Sequence, residues 1–392
     1  MLTQAPLPGL SADEFAHAGR VAAHLRRTIA AAGGWIPFSR FMQQALYAPG
    51  LGYYSAGTHK FGAAGDFVTA PGLTPVFARC LAMQAVEVLG QLGGGCVLEA
   101  GAGDGAMAAD LLAALAARGA APARYDILEV SADLRERQRE TLAERVPEML
   151  ERVRWLDAPP GGPWDGVLVA NEVLDALPVE RFRVTRGGYD SLGVACSDED
   201  FAFEPRPADE HLTQALDERL GESGLPEGYE SEACLMLTPW VAELTGGLAR
   251  GAVLFIDYGL PRAQYYHASR SGGSLCSFFR HRRVDDVLAR PGLQDITAWV
   301  DFTAVAEAGL AAGFEVAGFS TQAHFLLATG FEQEVERARA GLDAREAARL
   351  AQAAGMLVLP GEMGERFKVM ALARGLESPL AGFSFRDLTA TL

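Results

Sequence analysis

Cys96-Val-Leu-Glu-Ala-Gly-Ala-Gly-Asp-Gly-Ala-Met-Ala-Ala-Asp-Leu-Leu112 decides the reading of this chain. The apolar run that begins at Val97 has the composition of a buried strand. Gly101, Gly103 and Gly105 break it, and Ala106 to Arg118 is composed of helix formers. A strand, a glycine turn and a helix open a doubly wound α/β sheet. The glycines let the backbone approach a ligand held at the helix N-terminus. Glu99, just before the turn, narrows the ligand. A pyrophosphate at that turn is poorly served by an acid, whereas a ligand with a positive amino group is well served. S-adenosylmethionine (SAM) has such a group beside a sulfonium.

Further strands follow, and their ends carry acids. Tyr125-Asp-Ile-Leu-Glu-Val130 reads as the second strand, with Glu129 placed ~20 residues beyond the glycines to accept hydrogen bonds from ribose hydroxyls. Ser131 reads as the N-cap of a charged helix over 132–145. Val153-Arg-Trp-Leu-Asp157 is a short third strand. Trp164-Asp-Gly-Val-Leu-Val-Ala-Asn-Glu172 is a fourth. Ligands of such sheets bind outside the C-terminal ends of strands. Glu99, Glu129, Asp157, Asn171 and Glu172 all fall there, and a series at successive strands is hard to assign to turns alone.

The rest of the chain is arranged around this core. Residues 11–46 read as two helices divided by Gly33-Gly34, and the Gly-rich loop Phe61 to Pro71 follows as a cofactor-covering lid. A helix is expected from about Thr74 to Leu92. Arg181 to Phe203 alternates as a hairpin around Gly187-Gly188, and 204–230 reads as mostly loop. Gly251 to Gly259 is another buried strand ending in an acid, and the next 40 residues are too long for an idle connection. Phe314 to Ser320 and Phe367 to Leu372 read as the last strands. The expected organisation is a helical arm with the covering loop over 1–75 and a main domain over 76–375. That domain carries an inserted hairpin (about 179–232) and a substrate-side insert (about 260–300), and 376–392 forms a tail. The expected fold is a class I methyltransferase: a Rossmann-like α/β fold with a seven-stranded, mostly parallel sheet, a helical N-terminal arm and insertions after strands 4 and 5.

Composition sets limits on function. With 392 residues and a net charge of −16, the chain offers no general nucleic-acid surface. Arg280-His-Arg-Arg283 is a short basic spot of the kind found in solvated loops. Five scattered cysteines, with no CxxC, suit a reduced, cytosolic protein without structural zinc. No apolar run reaches ~18 residues, so no membrane span is expected.

Several blocks are more specific than the glycine turn. They are Tyr47-Ala-Pro-Gly-Leu-Gly-Tyr-Tyr54, Gly65-Asp-Phe-Val-Thr-Ala-Pro71, Asn171-Glu-Val-Leu-Asp-Ala-Leu-Pro178, Ile256-Asp-Tyr-Gly259, Pro291-Gly-Leu-Gln-Asp-Ile-Thr297 and Val300-Asp-Phe-Thr303. On these the chain resembles the MidA family of class I SAM-dependent methyltransferases. The mitochondrial members of that family are complex I assembly factors that methylate a protein arginine. The resemblance covers about 35–375. It implies SAM as cofactor, a protein substrate that is most naturally an arginine, and homodimerisation as one option. Gly101, Gly103 and Gly105 are then expected to admit the methionine end, with Glu99 on its ammonium, Glu129 on the ribose and Asp157 on the adenine amino group. Asn171, Gly65, Asp66, Phe67 and Thr69 complete the expected cofactor set, with Phe67 and Tyr54 near the sulfonium. Glu172 and Asp175 are the expected catalytic pair. Three residues apart, they share a face if the turn after the strand begins a helix, and together they could hold a guanidinium and take its proton. Asp257, Asp295 and Asp301 either shape the acceptor channel or stabilise turns. The chain departs from the family pattern at Gly72, where an acid is expected, and at Phe278, Phe279, Val284 and Trp299, where polar residues are expected.

Two rival enzymes fit less well. Gly101-Ala-Gly-Asp-Gly-Ala106 nearly satisfies a nicotinamide fingerprint, but Glu99 argues against a pyrophosphate. A nucleic-acid base methyltransferase lacks its Pro-Pro-aromatic block, because Asn171 is followed by Glu172. The remaining alternative is a SAM-binding assembly or scaffolding protein with little turnover.

Overall fold

A computed structural model describes residues 9–56, 69–197, 200–221, 224–280 and 282–392. It divides into two compact units. The sheet predicted from the glycine stretch forms the larger, made of Thr69–Asp175, Leu237–Tyr265 and Trp299–Leu392. Its main strands are β1 (Cys96–Ala100), β2 (Arg124–Leu128), β3 (Val153–Leu156), β4 (Trp164–Asn171), β5 (Leu248–Leu260), β6 (Glu315–Thr321) and β7 (Phe367–Arg374). They lie in the order β6-β7-β5-β4-β1-β2-β3, and a two-residue strand, Val300–Asp301, joins β5 as an eighth member. Strands β5, β4, β1, β2 and β3 run parallel, and β7 is antiparallel to both its neighbours. This mixed, mostly parallel sheet agrees with the sequence reading.

The strands are apolar almost without alternation because both faces are covered. Val97, Val167, Val169, Leu254 and Val369 are all buried in one core with residues of the flanking helices. Among those helices are α1 (Val76–Leu92), α2 (Ala106–Ala117) and α3 (Ala132–Arg145). Helix α1 follows Pro75 and stops at Gly93, whose φ of 74° is the left-handed C-terminal cap. Ser131 caps α3 through its hydroxyl, as expected. Neighbours β2 and β4 leave β1 on opposite sides of the sheet, so β1 is the topological switch point where ligands of such sheets bind.

The smaller unit comprises Met1–Val68, Ala176–Met236 and Tyr266–Ala298. Its helix Ala12–Ala31 starts in a capping box formed by Ser11 and Glu14 and buries Val21, Leu25 and Ile29. Strand Glu180–Thr185 pairs with Gly188–Ser197 across Arg186-Gly187, the hairpin expected from the sequence. Asp200–Pro207 adds to that sheet, as do Glu230–Ala233 and Trp35–Ile36. A second sheet has the order Arg282–Val284, Cys276–Phe279, Asp295–Thr297.

Three expectations need correction. The arm over 1–75 is not a unit of its own: Val21, Phe38 and Phe41 share one core with Val179, Val194 and Ile296 from both expected inserts. The segment 204–230 contains a helix, Glu210–Leu220, where Asp209 caps the first turn and Leu212, Leu216 and Leu220 form a buried stripe of three, spaced four apart. The terminal stretch is not a free tail. Leu380 and Phe383 belong to the core of the larger unit, where the Phe383 ring occupies the space over Gly318 that a Cβ would need.

Candidate functional site

The site lies within the larger unit, at the C-terminal ends of β1, β2 and β4. Gly101, Gly103 and Gly105 all have positive φ, 70°, 56° and 86°. At Gly105 a Cβ would meet the Gln138 backbone at 3.1 Å, so a side chain there would press on α3. The loop is also tied to α3 by Gln138 Nε2, which donates to the Gly103 carbonyl (2.9 Å), and by the Thr141 hydroxyl, which donates to that of Asp104 (2.8 Å). The turn is therefore held by the protein's own hydrogen bonds.

Glu99 is completely buried in β1. The Tyr125 hydroxyl donates to its Oε2 at 2.5 Å, while Oε1 is buried with no hydrogen-bond partner among the described residues. Burial pushes its pKa up to about 7, the Tyr125 hydrogen bond opposes that, and the nearby Asp104 and Glu129 charges add to it. An orphaned acid beside a glycine turn is what a cationic ligand group requires, so these residues fit the amino-acid end of SAM. Nothing in the local pattern of residues singles out Tyr125. The strand register does, because Tyr125 lies opposite Val97 on the face that also carries Glu99.

The raised pKa has a stability consequence. A carboxyl protonated in the folded protein but ionised when unfolded stabilises the fold fully below the unfolded value, and that contribution is lost as pH rises through about 7. Glu99→Gln keeps a neutral group at the site. Urea unfolding of the ligand-free protein should therefore show the wild type losing about 3 kcal/mol relative to this variant between pH 4.5 and 7. Parallel pH profiles would show that Glu99 is ionised when buried.

Glu129 is also buried, and burial raises its pKa. Its oxygens accept from the Ser131 amide (2.8 Å) and from Gln138 Nε2 (3.2 Å). Val130, next to it, is 72% exposed, a surface position that the apolar strand pattern did not reveal. Asp157 stands apart from this buried group: its side chain is 92% exposed and pairs with Arg135 at 2.7 Å. Thr69 precedes the short helix Ala70–Leu73 without capping it. Gly65, Asp66 and Phe67 lie outside the described residues. Tyr54 belongs to the smaller unit, where its hydroxyl donates to Asp295 Oδ1 at 2.9 Å.

The fourth strand delivers the acids. Asn171 ends β4 with Oδ1 buried and unpartnered among the described residues, and its Nδ2 donates to Glu172 Oε1 at 3.1 Å. Glu172 has φ of 53°, the left-handed region that costs a side chain about 1–3 kcal/mol and is kept where surrounding structure enforces it. Its amide donates to the Ile256 carbonyl (2.9 Å), which fixes that conformation. No helix begins here, so the condition for Glu172 and Asp175 to share a helix face is not met: residues 172–177 are bends and a turn. The backbone around Asp175 is instead organised by Asp257 from β5. This fully buried carboxylate accepts the amides of Leu174 (3.0 Å), Asp175 (3.2 Å) and Tyr258 (2.9 Å). Burial and then the Asp175 and Glu172 charges push its pKa well above the usual carboxylate range. The Tyr258 hydroxyl donates to Asp175 Oδ2, and its ring packs edge-on against Phe367 and Trp299. Three carboxylates thus converge on one turn, and Val173 of that turn reaches the space above Gly101.

The other aspartates have structural duties. Asp301 caps the helix Phe302–Ala311 and pairs with Arg262, and Asp295 holds Tyr54. Among the histidines, His267 accepts from the Ser269 amide and His324 bonds Thr321, while His281 is outside the described residues.

Comparison with known proteins decides the family. The family model described as putative S-adenosyl-L-methionine-dependent methyltransferase matches residues 80–320. This chain is a member of the MidA family. A crystal structure of a Burkholderia thailandensis protein bound to S-adenosylhomocysteine is 44% identical, with a TM-score of 0.93 over 99% of this chain and 100% of that one. The mitochondrial protein arginine methyltransferase NDUFAF7 is 28% identical in zebrafish over 89% of this chain and 86% of that protein. In mouse it is 30% identical, over 86% and 81%. MidA membership makes SAM the cofactor, in agreement with the orphaned acid and the glycine turn.

Proposed function

We propose that this MidA protein transfers a methyl group from SAM to a guanidinium nitrogen of a protein arginine. The observation that carries this is the acid turn after β4, where Glu172, held in a left-handed conformation, stands with Asp175 and Asp257 beside the glycine loop. Bound SAM supplies an electrophilic methyl on a sulfonium. The chain's own residues supply position and charge. We assign Glu99, with its unpartnered oxygen, to the amino-acid end and Glu129 to the ribose, and exposed Val130 is the apolar face assigned to the base. Asp157 remains the reading for the adenine amino group, at the rim.

An arginine arrives charged, since its pKa is above ~12. Glu172 and Asp175 are suited to hold it by charge-assisted hydrogen bonds and to accept the proton released on transfer. Tyr258 keeps Asp175 oriented by donating to its Oδ2. The names of the NDUFAF7 relatives support the arginine assignment. An assembly partner as the modified protein extends the same reading, and five cysteines with no disulfide among them suit a reducing compartment.

Incubating the protein with methyl-labelled SAM and an extract lacking it tests the reading. A labelled protein that yields methylarginine on hydrolysis is expected. Label found only on carboxyl oxygens or small molecules would refute the arginine assignment.

A further inference from the structure

We propose that loading SAM expels a proton from Glu99, so that cofactor binding by this chain is coupled to proton exchange and reverses its sign near neutral pH. The geometry is that of a carboxyl with one satisfied and one orphaned oxygen, completely buried. Every described neighbour that bears on its charge is neutral or acidic. Tyr125 on β2 donates a hydrogen bond, Asp104 in the glycine loop and Glu129 at the end of β2 repel, and no cation among the described residues acts on it. Without a ligand the group keeps its proton well above the usual carboxylate range. An ammonium brought to this acid supplies the missing cation. The O–H bond of Glu99 then breaks, the proton goes to solvent, and the carboxylate stays paired with the ammonium.

A second proton moves the other way. A free α-amino group has a pKa of about 7.8, so above that pH the incoming amine must first be protonated. Release dominates at low pH and uptake at high pH. With the carboxyl at about 7, the two balance midway, near pH 7.4. At pH 6 about 0.9 proton is expected to leave per SAM bound, and at pH 8.5 about 0.8 is expected to enter.

Calorimetric titration of the full chain with SAM, in pairs of buffers with different protonation enthalpies, reads these numbers directly and needs no methyl acceptor. Wild type should release close to one proton at pH 6 and change sign near pH 7.4. Glu99→Gln should lose the release at pH 6 and keep the uptake at pH 8.5. Glu129→Gln removes one of the charges that hold the proton on Glu99, so its sign change should move to lower pH. Where Glu99→Gln binds too weakly to titrate, Tyr125→Phe decides. Loss of its hydrogen bond raises the carboxyl further, so the sign change should move to higher pH. Less than about 0.2 proton released by wild type at pH 6 overturns the proposal, as does equal release from Glu99→Gln or an unmoved sign change in Tyr125→Phe. Each of these leaves cofactor binding intact. Absence of SAM binding by wild type would instead count against the cofactor site itself.

Discussion

Gly101→Val is expected to weaken SAM binding at least about 100-fold, a loss of about 2.7 kcal/mol, while the protein stays folded. Two effects combine. Residue 101 sits at φ 70°, where a β-branched side chain is a genuine outlier. The new Cβ would also stand 2.8 Å from Val173 Cγ2 and push against the turn that carries Glu172 and Asp175. Relief of either strain moves the backbone that faces the cofactor. Gly119→Val is the matched control. Gly119 has φ of 68°, and a Cβ added there would meet nothing within 4 Å, so valine imposes the same backbone strain away from the site. Titration with SAM should separate the two variants even where circular dichroism and unfolding do not. Near wild-type affinity in Gly101→Val would show that the loop can take a side chain and that its glycines do not define the cofactor site.

Glu172→Gln is expected to lower methyl transfer at least about 100-fold with SAM affinity within about threefold, because the amide keeps the shape but cannot take a proton. Glu172→Gly should abolish transfer too, yet raise unfolding stability by about 0.5–1 kcal/mol. Glycine accepts φ 53° without the penalty that glutamate bears, and part of that gain is offset by greater freedom of the unfolded chain. A gain in stability with loss of turnover would mark position 172 as strained for function. Transfer by Glu172→Gln at the wild-type rate would remove the residue from the chemistry. A less stable Glu172→Gly would mean that its bond from Asn171 outweighs the strain.

How much of this was legible in the sequence differs by element. The sheet was legible because its strands are buried on both faces and punctuated by glycine and acids, as at Val97 to Gly105. The acid turn was legible as residues but not as a shape. Asn171-Glu-Val-Leu-Asp175 has a spacing compatible with a helix, and only the long-range bonds from Asp257 and Ile256 make it a turn. The partner of Glu99 depended on strand register, which local patterns do not carry. Asp157 looked like a member of the acid series at the strand ends, but its side chain lies at the surface, paired with Arg135. The grouping of residues 9–56 with two distant segments was hidden for the same reason. Apolar positions such as Phe38 and Ile296 announce a core without saying whose core it is.

The position of β7 bears on how the protein is made. This strand is the last of the sheet to be synthesised, yet it lies between β5 and β6, and β6 pairs with no other strand of the main sheet among the described residues. While the ribosome is still producing residues 322–366, β5 offers an open edge and β6 has nowhere to dock. The carboxyl-terminal stretch with Phe383 is needed later still, to close the space over Gly318. A nascent or prematurely terminated chain therefore exposes apolar strand edges of the kind that associate between molecules. Completion of this sheet therefore waits for residues 367–374, and its yield in cells should depend on chaperones that shield the β5 edge until they have emerged.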